Sequence, residues 1–193
     1  MPPKFKFSKE EIIAAAFNLV RKNGWQRLTT RTLGEDLGSS AKPIYSFFKS
    51  MDDLDEELVK LSIDLLFEKM TRKRTGDPWI DHGIGYVLFA QEESHLFRGC
   101  NNEKNIKYFK AYGQLIWDKC SHSLMDYEPF QGLTEEQIYQ VQATRWLMTH
   151  GLAFQVSNPP PVVWDNDNIM LMVQRGSIAI LDGLKKQFAS EGT

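Results

Sequence analysis

The sequence predicts an all-α protein of about nine helices, a basic three-helix head followed by a larger helical body. Three observations carry this. Helix-capping signatures recur along the chain, apolar residues return at spacings of three and four, and no sizeable stretch alternates with a period of two. No internal repeat is found in the 193 residues, enough chain to bury a substantial core.

Ser8-Lys9-Glu10-Glu11 has the form of a capping box, with the Ser8 hydroxyl accepting from the Glu11 amide and the Glu11 side chain reaching back. Ile12, Ala16 and Val20 then recur on one face, with Ile13 and Phe17 beside them, up to a stop at Asn23-Gly24, where Gly24 can take a left-handed conformation. Thr29 or Thr30 can cap a second, short helix that carries Leu33 and Leu37 and stops at Gly38. Ser40 can cap a third through about Phe47, and Ser50 with Asp53 opens a fourth to about Arg72. RKRTGD (72–77) is the expected break between subregions.

Asp77-Pro78 pairs an N-cap with a proline at the first helical position. Helical segments follow at about 78–91, 93–99 and 103–125, then YEPFQG as a loop. Thr134-Glu135-Glu136-Gln137 is a second capping box, opening a helix to about Val156. SNPPP forces an extended connection, and the last helix is expected from about Asp167 to Ala189. The predicted division is a head at 1–50, a connecting helix at 51–72 and a second domain at 73–193.

Charge separates the two parts. The first 50 residues hold nine of the 23 Lys and Arg but only four of the 25 Asp and Glu, a net of +5; the rest holds 14 and 21, a net of −7. A basic front on an acidic body expects only the front to meet a polyanion. No apolar run approaches the roughly 20 residues that cross a bilayer, and the start is too short and polar for a secretory signal. Cys100 and Cys120 do not make a disulfide framework, so a reduced, cytoplasmic protein is expected.

Two short helices separated by Gly38-Ser39 in the basic region form a helix-turn-helix pattern, in which the second helix enters a DNA major groove. The longer stretch is more specific. FSKEEIIAAAFNLVRKNGWQRLTTRTLGEDLGSSAKPIYSFFKSMDDLDEEL resembles the DNA-binding head of the TetR (tetracycline-repressor-like) transcriptional regulators over about residues 8–58, without gaps. The matching features are I-x-x-A-A-x-x-L, G-x-x-x-L-T-T-R-x-L, L-G-S-S at the turn and I-Y-x-x-F-K-S before the fourth helix. The resemblance implies an all-α DNA-binding homodimer with a variable ligand-binding C-terminal domain, and repression as the commoner mode.

Thr29 and Thr30 at a helix N-terminus can form a phosphate site, and Arg31 in the first turn can reach a phosphate or a base. Ser40, Ala41, Lys42 and Pro43 make the exposed end that enters the groove, with Ser46 on the same short helix. Lys42 can donate to guanine, while Ala41 and Pro43 offer apolar surface to a thymine methyl. The resemblance makes Tyr45 a backbone-contacting tyrosine with its ring packed inward and Phe48 a core aromatic, and Lys49 can contact a phosphate. Phe47 and Met51 stand where family members often carry histidine and lysine, which shifts the expected phosphate grip onto Lys42, Lys49, Arg31 and the tail lysines Lys4 and Lys6. Phe47 can instead pack on sugar or on a thymine methyl.

In the body, ATRWLMTHGLAFQV (143–156) resembles a W-x-x-x-H-G stretch of one branch of these C-terminal domains. Trp146, His150 and Phe154 share a helix face. Two readings stand: a pocket wall in which His150 meets a small effector, or a packed helix whose His150 bonds to a neighbour. Tyr86, Phe89, Phe109, Tyr112 and Trp117 are candidates to line the same cavity, which expects an apolar or aromatic effector. The resemblance places the dimer contact on the last two long helices, where Ile138, Val141, Met148, Met172, Val173, Ile180 and Leu184 are either that surface or intrachain core.

A ligand-released repressor on a palindromic operator is the expected function. A regulator of the same fold acting through a protein partner is the alternative. An enzyme is remoter: no cofactor is expected, and Cys100, Cys120, His82, His95, His122 and His150 show no C-x-x-C, H-E-x-x-H, G-x-S-x-G or phosphate-loop spacing.

Overall fold

The computed structural model describes residues 7–158 and 164–191, and among them it contains nine α-helices, two short 3-10 turns and no strand. The helices are α1 (Lys9–Asn23), α2 (Thr30–Asp36), α3 (Lys42–Tyr45), α4 (Met51–Thr71), α5 (Pro78–Glu92), α6 (Ser94–Cys100), α7 (Ile106–His122), α8 (Glu135–Ser157) and α9 (Asn166–Glu191). The tail lysines Lys4 and Lys6, and the prolines expected to extend the connection after Asn158, lie outside the described residues.

The expected caps form. Ser8 and Glu11 close a capping box on α1, Thr134 and Gln137 close one on α8, and Asp77 accepts from the Ile80 amide with Pro78 at the start of α5. Thr29, not Thr30, caps α2, and its box partner is Thr32. α3 is shorter than expected: it runs only from Lys42 to Tyr45 behind Ala41, while the Ser40 hydroxyl accepts from the Lys42 amide at 3.4 Å. The expected YEPFQG loop contains a 3-10 turn at Glu128–Phe130.

The chain forms two compact units, residues 1–64 with 95–113, and residues 65–94 with 114–193. They interleave in sequence, each built from two stretches of chain. In the first unit the α1 face Ile12, Ala16 and Val20 is buried with Leu33, Ile44, Phe48, Leu54 and Leu58. Trp25, in a 3-10 turn after α1, donates its indole N–H to Asp55 at 2.8 Å; Lys104 pairs with Asp55 and, at 2.9 Å, with Asp52. The backbone of α6 lies against the Trp25 ring at Gly99, where a Cβ would come within 1.9 Å of Cε3. These contacts explain why residues 95–113 belong with the head.

The second unit is organised on α5, whose residues 79–90 are all buried, packed by α8 and α9. Burial holds the His82 imidazole down to about 4, so it folds neutral. Its folded pKa lies below its unfolded value, so the unfolded chain takes up the proton first as pH falls. Stability present above pH 6.5 is therefore lost down to pH 4, by up to about 3 kcal/mol. A His82→Gln variant should show a flatter melting-temperature profile between those pH values; an unchanged profile would assign the acid sensitivity elsewhere.

Cys100 and Cys120 are both free and buried, and burial pushes their thiols up to about 12 and about 11. Neither carries reactive thiolate near neutral pH. Among the described residues no group of three or more His, Cys, Asp or Glu side chains is placed to hold a metal ion, and no helix is long and apolar enough to cross a membrane.

Candidate nucleic-acid interface

The head presents α3 by burying one side of it. Ile44 is 1% exposed and Phe48, just beyond α3, is 3% exposed, so these two side chains fasten the helix to the core. The turn before it is tight: the Ser39 amide donates to the Gly34 carbonyl at 2.8 Å, and Gly38 takes φ +57°, a conformation that favours glycine. Ser40, Lys42, Tyr45, Ser46 and Lys49 are exposed, while Ala41, Pro43 and Phe47 are half-buried. Lys42 opens the helix and Pro43 takes its second position, where a missing amide costs no intrahelical bond.

Tyr45 corrects the sequence expectation. Its ring is 56% exposed and does not pack inward; α3 is so short that Ile44 and Phe48 fill the inward positions. An exposed phenol beside Lys42 enlarges the surface α3 offers to a nucleic acid. The Ser46 hydroxyl donates to the Lys42 carbonyl at 3.2 Å, which commits it to the helix end. Among the described residues the Lys42 and Lys49 ammonium groups carry no ion pair. The Lys49 amide donates to Asp53, whose own amide donates to Ser50, so the chain turns into α4 with the Lys49 side chain outward.

The α2 start is partly committed to its own structure. The Thr29 hydroxyl accepts from the Thr32 amide at 3.1 Å, and the Thr32 hydroxyl donates to the Arg27 carbonyl at 2.6 Å. Thr30 is half-buried at the first helical position. Arg31 pairs with Glu35 at 3.0 Å across a strongly exposed helix face. Such a surface pair is worth under about 1 kcal/mol, so a phosphate can displace Glu35 at little cost.

The aromatic residues proposed as a pocket wall do not all lie in one compact unit: Phe109 and Tyr112 belong to the first, the other six to the second. Tyr112 donates to Glu56, with Lys60 over its ring. Phe89 is 2% exposed, a core residue, and Trp117 packs edge-on with Tyr139. Trp146, His150 and Phe154 form a ladder along α8, each ring pair 4.9 Å apart. His150 Nδ1 and the Tyr86 hydroxyl are 2.7 Å apart, which joins α8 to α5, and burial lowers the His150 pKa. This is the packed-helix arrangement, with Phe154 at its exposed end.

Residues 12–58 match the model of a family described as bacterial regulatory proteins, tetR family. Two solved structures share the fold across nearly the whole chain. A transcriptional regulator from Rhodococcus sp. Rha1 is 15% identical, with a TM-score of 0.60, covering 92% of this chain and 97% of its own. A TetR variant from Acinetobacter baumannii AYE, in complex with minocycline, is 16% identical with a TM-score of 0.50, covering 94% and 98%. No curated protein matches the sequence.

Proposed function

We propose that this chain, a transcriptional regulator with the DNA-binding head of the tetR family, is a homodimeric repressor released from a palindromic operator by a small molecule held in its second unit. The carrying observation is α3: a short helix fastened by Ile44 and Phe48, with Lys42, Tyr45 and Lys49 turned outward on a basic head. Lys42 is the base reader, and Lys49 and Arg31 are phosphate contacts, with Thr29 and Thr30 beside them.

A helix this short reads few base pairs, so two heads on a two-fold axis are needed, about 34–36 Å apart to meet successive major grooves. Exposed apolar area supports a dimer surface on α8 and α9. Val141 and Val173 are 0% exposed and so are core, whereas Leu147, Phe154, Leu171, Met172 and Ile178 leave apolar area exposed on α8 and α9. An effector that stabilises a different head spacing would release the operator. The minocycline bound to the Acinetobacter structure supports a small-molecule effector for this fold.

A gel shift against DNA upstream of the protein's own coding region tests the reading. Failure to find sequence-specific, salt-sensitive binding would sink it. Within that assay, Lys49→Ala should weaken operator and random DNA equally and reduce the salt slope by about 0.9 per head. A selective loss on the operator would make Lys49 a base reader instead.

A further inference from the structure

The second unit buries an arginine that has no carboxylate partner among the described residues. Arg145, in α8, is 7% exposed; one guanidinium nitrogen donates to the Trp79 carbonyl at 2.9 Å, the group lies 5.2 Å from the Trp79 ring centre, and Nε has no partner. The acids nearby are committed. Asp77 caps Ile80 and accepts from the Tyr127 hydroxyl, while Asp81 accepts from the amides of Arg74 and Thr75. A guanidinium taken out of water with no acid in contact is costly for a core to hold; Asp77 acts on it only from a distance and is already engaged.

Three more buried polar atoms without partners lie in the same layer: Trp79 Nε1, His82 Nδ1 and Ser177 Oγ. Trp79 and His82 are one turn apart on α5. Gln91 reaches the Trp164 carbonyl while Gly83 faces Val173, so α9 runs antiparallel to α5 and brings Ser177 to the level of Trp79. The indole and the guanidinium can only donate, and the serine hydroxyl can. An apolar molecule would leave all of them unsatisfied, and water would supply no charge.

We infer that the α5–α8–α9 core of the second unit receives the acid group of a small organic carboxylate, with Arg145 as its charge partner and Trp79 and Ser177 as hydrogen-bond donors. The inference rests on the reading that this unit holds the effector, and it changes the effector's class from apolar or aromatic to carboxylate-bearing.

The test is thermal unfolding of the full chain, at constant ionic strength, with acetate, benzoate or the neutral benzamide as probes. Acetate or benzoate in excess should raise the wild-type melting temperature by at least about 3 °C, and benzamide should not. Arg145→Met should melt no lower than wild type without a probe, because it removes a buried charge that no acid contacts, and should not respond to either acid. Arg145→Lys, which keeps the charge, should respond weakly. Equal responses in wild type and Arg145→Met, or no acid-selective response in wild type, would overturn the inference whether or not the methionine variant folds well. Gel shifts in the same buffers separate the two readings. Acid binding at Arg145 without operator release keeps this inference and sinks the effector reading. Release by a neutral compound alone, with no acid response, does the reverse.

Discussion

Replacing Lys42 by alanine should reduce the preference for operator over random DNA by about 10- to 100-fold per half-site, while the melting temperature stays unchanged. Lys42 is exposed at the first position of α3, and its ammonium carries no ion pair among the described residues, so the fold loses nothing with it. A good base contact contributes about 1–3 kcal/mol of discrimination, and 1.4 kcal/mol is a factor of ten. In a dimer the substitution is made twice, and at well-separated half-sites the losses add. Competition gel shifts with operator and scrambled duplexes measure it. Equal losses on both would remove Lys42 from base reading and leave it a phosphate contact.

Replacing Gly85 by alanine should destabilise the second unit by about 3 kcal/mol or more, a fall of roughly 6–12 °C for a chain of this size. A Cβ on Gly85 would lie 2.2 Å from the Lys69 carbonyl oxygen and 2.5 Å from the Met70 Cα. Both are backbone atoms of the last turns of α4, and backbone cannot rotate away as a side chain can. Relief would require α4 and α5 to separate, which would open buried surface along α5. Thermal melts followed by circular dichroism check this. A loss below about 1 kcal/mol would mean that the two helices part easily, and that their close contact is not a fixed element of the unit.

What could be read from the sequence follows a physical boundary. Ser8 with Glu11, Thr29 with Thr32, Asp77 with Ile80 and Thr134 with Gln137 each form a cap within three residues. Local hydrogen bonds of that kind are written in local sequence, so helix order, helix starts and the head were legible. The ladder Trp146–His150–Phe154 was legible for the same reason, since residues four apart on a helix are neighbours.

The rest depends on residues far apart in the chain. Trp25 meets Asp55, and Lys104 meets Asp52 and Asp55, across separations of 30 to about 50 residues, and those contacts draw residues 95–113 to the head. Tyr45 and Ile44 are adjacent apolar-ring and aliphatic residues, and only the packing of α3 on the head decides that the isoleucine turns in and the tyrosine out. Nothing in the sequence around Arg145 marks it as buried; its contact is with Trp79, 66 residues earlier. Helix order, helix caps and the helix-turn-helix head were legible from local sequence, because those rest on bonds between near neighbours. Which faces are buried, and which charges meet no acid, depended on the packing of the folded chain, because burial is set by whichever distant helix comes to lie against each side chain.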